Sequence, residues 1–119
     1  MTKPAHVTKL LILAACASAL PLLPLLAAEP VTLTIKDHRF TPDHVTGPVN
    51  ERFRIEVWNQ DATPSEFESS ELRVEKIVVA GGRISVMAGP LKPGTYKFFD
   101  DYHPDTAVGT LTVVEKKDQ

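Results

Sequence analysis

Past residue 28, apolar and polar positions alternate with a period of two rather than 3.6. "VTLTIK" puts Val31, Leu33 and Ile35 on one face, with threonines and Lys36 on the other. "FRIEVWN" puts Phe53, Ile55 and Val57 inward and Arg54, Glu56 and Trp58 outward. "ELRVEKIVVA" and "RISVMA" are two further strand candidates, joined through Gly81-Gly82, a turn signal. "TYKFFD" alternates Tyr96, Phe98 and Asp100 against Lys97, Phe99 and Asp101, and "GTLTVVE" sends Leu111 and Val113 inward. No stretch reads as a long amphipathic helix. Short strands punctuated by Gly and Pro predict one all-β sandwich.

The alternation isolates one anomaly, "FFDDYHP" at residues 98–104. If Tyr96 and Phe98 face the core, Asp100 faces it too. Shifting the register by one residue would expose both aromatics, each worth about 1.5–3 kcal/mol when buried. The inward register therefore wins, and Asp100 belongs at the mouth of the core. An isolated carboxylate there costs several kcal/mol unless it is paired or bound to metal. Replacing Asp100 by Ala is thus expected to leave the metal-free fold as stable as before, or more so.

The first 28 residues lie outside this pattern. "MTKPAHVTK" is basic, and "LLILAACASALPLLPLLAA" carries no charge over 19 residues. This reads as a secretory signal peptide over residues 1–28, cleaved after Ala28, with the domain at 29–119 and a periplasmic destination. A membrane span is the rival, but Pro21 and Pro24 would break its helix. Lipoprotein processing at "LAAC", with Cys16 acylated, ranks below cleavage because the apolar run continues well past Cys16. Removal of the leader takes Lys3, Lys9 and His6 and leaves 11 Lys and Arg against 15 Asp and Glu, a formal charge of −4. That balance, without a basic cluster, argues against nucleic acid. No small-molecule substrate is identified. Cys16, the single cysteine, leaves with the leader, so the domain has neither a disulfide nor a thiolate ligand.

The order of motifs over residues 30–115 resembles a cupredoxin domain, which implies a Greek-key β-sandwich. "NQDATPSEF" (Asn59 to Phe67) matches the strand ending in Asn-x-Asp that leads to a ligand histidine. "PGTYKFFDDYHPDTAVGTLTV" (Pro93 to Val113) matches Pro-Gly-x-Tyr-x-Phe-x-Cys-x-x-His, and "FTPDHVT" matches the early Phe-x-Pro step. The departures matter more. Asp100 holds the cysteine position, and Ser65 or Glu66 holds the first histidine position. No methionine lies between His103 and Gly109, so only His103 matches a copper ligand. A type 1 blue-copper centre needs a thiolate and two imidazoles, and this set excludes one. Within the family, "PSEFES…GPLKPGTYKFFDDYHP" is most similar to the periplasmic cupredoxin-like component of bacterial ferrous-iron uptake. That resemblance implies a copper or iron ion and a role in iron oxidation or handover. It implies as partners a periplasmic iron-binding protein and an inner-membrane iron permease system.

Strand direction brings the loops after residues 36, 59 and 100 to one end of such a sandwich. The candidate metal ligands there are Asp100, His103, Glu66, Asp101, Glu68, His44 and His38. Asp100 and His103 lead, because a three-residue step over a loop lets both converge on one point. The plainer reading is a hydrogen bond that fastens the loop. Glu66 stands beside the first ligand position, with a solvated loop carboxylate as its plainer reading. Asp101 alternates away from Asp100, and two carboxylates about 5 Å apart repel by roughly 3 kcal/mol at an effective dielectric near 20. Glu68 reads as rim, and His38 and His44 as polar loop residues. Met87 reads as a gap-filler rather than a thioether ligand. Oxygen and nitrogen donors suit Cu(II) and iron and disfavour Cu(I). No catalytic residue is assigned, and an accessory role in ferroxidation stays open. Two rivals stand beside the iron reading: a metal carrier unconnected with iron, and a metal-free protein-interaction domain.

Overall fold

The computed structural model describes residues 28–115 continuously, with 2–5, 12 and 14–21 before them. Leu26 and Ala27, beside the expected cleavage point, lie outside the described residues, as do His6 and Lys9. Among the described residues nine strands form: β1 (Val31–Lys36), β2 (Arg39–Thr41), β3 (His44–Gly47), β4 (Phe53–Asn59), β5 (Ser65–Ser69), β6 (Val74–Val78), β7 (Arg83–Ala88), β8 (Gly94–Asp100) and β9 (Val108–Val113). The described residues contain no helix. The all-β expectation holds.

Two sheets face each other, ordered β2-β1-β4-β7 and β3-β9-β8-β5-β6. The period-two faces meet between them. Leu33, Ile35, Phe53, Ile55, Val57, Phe98, Leu111 and Val113 are all buried, as their alternation requires. Phe40, Phe67 and Phe98 form an aromatic cluster under one end, with centroid separations of 5.0 to 6.1 Å. Burial of each such ring contributes about 1.5–3 kcal/mol. Gly81-Gly82 joins β6 to β7, but these strands belong to different sheets, so the turn carries the chain across the sandwich.

Three strands break the simple hydrophobic count. β2 and β3 are short, and Phe40 is their one fully buried side chain. β5 turns serines inward: Ser65 and Ser69 are buried on either side of Phe67. The Ser69 hydroxyl donates to Lys97 O at 2.6 Å and accepts from Leu72 N at 3.1 Å, which satisfies it inside. Met87 is 47% exposed and fills no gap in the core, a correction that follows from its outward parity in β7. Trp58 faces outward as expected, with the Arg83 guanidinium 4.2 Å above its ring.

Candidate metal centre

β1 and β4 run parallel, so Lys36 and Asn59 leave the sheet at the same end. Beyond β1 the chain reverses in two residues, Asp37 and His38, at φ of 51° and 55°. Asp and His tolerate this left-handed region better than most side chains, and a two-residue hairpin calls for it. The Asp61 carboxylate clamps the turn, accepting from Asp37 N at 2.7 Å and His38 N at 2.9 Å. Asp61 is itself fixed by its own N–H donating to Asn59 Oδ1 at 3.0 Å. Asn59, fully buried, donates to Thr63 O and Val78 O. The Asn-x-Asp motif thus fixes where His38 goes.

β8 ends at the same place. Asp100 is 0% exposed, in register with Phe67 of β5. Its Oδ1 accepts from Glu66 N at 2.9 Å and Tyr102 N at 3.0 Å. Its Oδ2 lies 2.9 Å from His103 Nδ1. Burial alone would raise the Asp100 pKa. The donors Glu66 N, Ser65, His103 and Tyr102 N outweigh it and hold the carboxyl below its ordinary range. Ser65 Oγ, also 0% exposed, faces that carboxylate and makes no other hydrogen bond among the described residues. The loop after Asp100 closes on itself through His103 N to Asp100 O and Ala107 N to His103 O.

These donors reverse the stability expectation for Asp100. The carboxylate is buried but already compensated, so its removal strips three groups of their acceptor.

The seven candidate ligands separate into three places. Asp100 and His103 meet at the end of the sandwich, and His38 stacks on His103 with centroids 3.7 Å apart and planes 24° apart. Glu66, Glu68 and Asp101 gather on the outer face of β5 and β8, their carboxylate oxygens within 4.8 Å of one another. Glu66 therefore reaches Asp100 with its backbone, while its side chain joins the other group. Desolvation, with crowding behind it, drives the pKa of Glu66 and Glu68 up. For Glu66 desolvation comes first, then Glu75, Asp101 and Glu68; for Glu68 desolvation, then Asp101 and Glu75. The Tyr102 hydroxyl is pushed up as well, by desolvation and by Glu66. His44 sits apart on β3, its Nδ1 against Thr110 Oγ1 of β9. A groove of about 700 Å³ lies beside His44, Lys97, Phe99 and Val108, and neither Asp100 nor His103 lines it.

Sequence reasoning passed over Asp61. Its signal was the Asn-x-Asp step itself, read as a strand end and not as a clamp. Of the two residues offered for the first imidazole position, Ser65 faces inward and Glu66 outward.

A family model described as a cupredoxin-like domain matches residues 7–113. An uncharacterized protein of Rickettsia prowazekii is 46% identical over 83 residues, covering 70% of this chain; the match spans 66% of that relative's length. Among solved structures, a purple cupredoxin from Nitrosopumilus maritimus superposes with a TM-score of 0.55 at 19% identity, covering 71% of this chain and 99% of the other. Amicyanin from Paracoccus versutus gives 0.56 at 14% identity, over 75% and 85%. These two likenesses concern the fold. A type 1 copper centre does not fit the residues present: Asp100 replaces the thiolate, Ser65 the first imidazole, and residues 104–108 hold no methionine. An oxygen and nitrogen donor set does fit, with the Asp100 carboxylate and the His103 imidazole 2.9 Å apart at the end of the sandwich.

Proposed function

Because the chain belongs to the cupredoxin-like domain family, we propose that it binds a copper or iron ion at the end of the sandwich where Asp100 and His103 meet, and that it serves ferrous-iron uptake. One observation carries the reading. A buried carboxylate and an imidazole stand 2.9 Å apart at the two positions where the family pattern has its cysteine and histidine ligands. Oxygen and nitrogen donors hold Fe(III) and Cu(II) better than Cu(I). Such a site would hold Fe(III) more tightly than Fe(II), which is the contribution these residues could make to iron oxidation. Export to the periplasm rests on the leader. The periplasmic iron-binding protein and the inner-membrane iron permease as partners rest on the resemblance.

The test is calorimetric titration of the purified protein with Cu(II), and with Fe(II) under anaerobic conditions. One ion per chain is expected, held more weakly as pH falls because protons compete for the donors. Genes for an iron permease beside this one would separate the iron role from that of a general copper carrier.

A second reading has its own observation. Three donors already occupy the Asp100 carboxylate, as they would in a metal-free interaction domain whose Asp–His pair only fastens a loop. Absence of binding by either metal would select it.

A further inference from the structure

We infer that His38 supplies the second imidazole of this site, beside His103, and that Asp61 positions its ring; the inference rests on the metal reading above. The two histidines are built alike. His103 directs Nδ1 at the Asp100 carboxylate at 2.9 Å, and His38 directs Nδ1 at the Asp61 carboxylate at 3.6 Å. Among the described residues no hydrogen bond uses either Nε2. A histidine that ligates metal commonly gives its other ring nitrogen to a carboxylate, which fixes the tautomer and aims the free nitrogen. Here His103 makes that contact and His38 falls short of it, 3.6 Å from Asp61, on rings whose centroids are 3.7 Å apart.

The placement of His38 is costly to make by accident. It needs two consecutive non-glycine residues in the left-handed region and a carboxylate from 23 residues further along the chain to hold them. The geometry is also unfinished. His38 Nδ1 is buried with no hydrogen-bond partner, and closing on Asp61 by about 0.7 Å would give it one. Stacked rings cannot both aim in-plane lone pairs at one ion, so taking the ion opens the stack. The same rotation can bring His38 Nδ1 onto Asp61.

The experiment is Cu(II) binding by purified protein, read by electron paramagnetic resonance as the number of coordinated imidazole nitrogens and by competition as affinity. The wild type is expected to show two. His38→Ala should show one, with affinity reduced at least tenfold. Asp61→Asn leaves the turn only one of its two acceptor oxygens, so the urea midpoint should fall somewhat, and copper affinity should fall about tenfold in protein that is still folded. Two nitrogens and full affinity in His38→Ala would overturn the inference and leave the metal reading standing. A wild type that binds no copper or iron overturns both. Wild-type affinity in Asp61→Asn would remove Asp61 from its positioning role.

Discussion

Asp100 and Asp101 are adjacent in sequence and stand on opposite sides of one sheet, in opposite electrostatic regimes. Asp100 lies inside, where backbone donors and one imidazole converge on it and its pKa is lowered. Asp101 lies outside with Glu66 and Glu68, where carboxylates face one another and the glutamate pKa values are raised. Desolvation acts on all of these carboxylates, but hydrogen bonds outweigh it at Asp100 and nothing offsets it at Glu66 and Glu68. The inner one is desolvated but surrounded by N–H groups. The outer ones are wetter, yet among the described residues no Lys or Arg forms a salt bridge with them. A pleat with a period of two is enough to divide neighbours this way.

The largest test of this contrast is Asp100→Ala in the absence of metal. Glu66 N, Tyr102 N and the His103 ring would lose their acceptor inside a closed core. Breaking a compensated buried charge typically costs about 3–5 kcal/mol, and a loss of about 3 kcal/mol is expected in urea unfolding with chelator present. An unchanged midpoint would mean that water reaches those donors and that Asp100 is less enclosed than its zero exposure indicates.

A pH series sets the two regions against each other. A lowered folded pKa makes Asp100 stabilising above the unfolded value of 3.8, and that stability is lost as pH falls through the folded value. Glu66 and Glu68 act with the opposite sign. Their raised folded values mean the native state binds protons first, so their penalty is complete at neutral pH and lifts as pH falls toward 4.5. The urea midpoint should therefore rise on mild acidification and drop on stronger acid. Glu66→Gln combined with Glu68→Gln should abolish the rise and spare the drop. A midpoint that only falls from pH 7 downward would refute the outer-face crowding.

The sequence and the structure agree where side-chain polarity reports direction and diverge where it does not. β1, β4, β8 and β9 announce themselves through Leu33, Ile55, Phe98 and Leu111. The inward pointing of Asp100 follows from the register of Tyr96 and Phe98. β5 escaped because Ser65 and Ser69 are polar and inward, a choice made possible by local donors and acceptors rather than by hydropathy. Without β5, Glu66 read as a loop residue free to turn toward Asp100, whereas its strand parity sends the side chain outward. His38 was legible as a residue near the right end of the sandwich. Its stack on His103 was not, because that depends on a left-handed turn held by Asp61 across 23 residues.

The smallest expected effect is also the one that separates crowding from packing on the outer face. Glu68→Gln keeps the shape of the side chain and removes one charge beside Asp101 and Glu75. At neutral pH and low ionic strength it should raise the urea midpoint slightly. In about 1 M salt, where the screening length is near 3 Å, the gain should shrink to the part that relief of desolvation supplies. The same substitution at Glu56, on the other sheet and outside the carboxylate group, should move the midpoint in neither condition. If Glu68→Gln stabilised equally in low and high salt, the outer carboxylates would be costly for a reason other than charge. The contrast with Asp100 would then come down to hydrogen-bond supply alone.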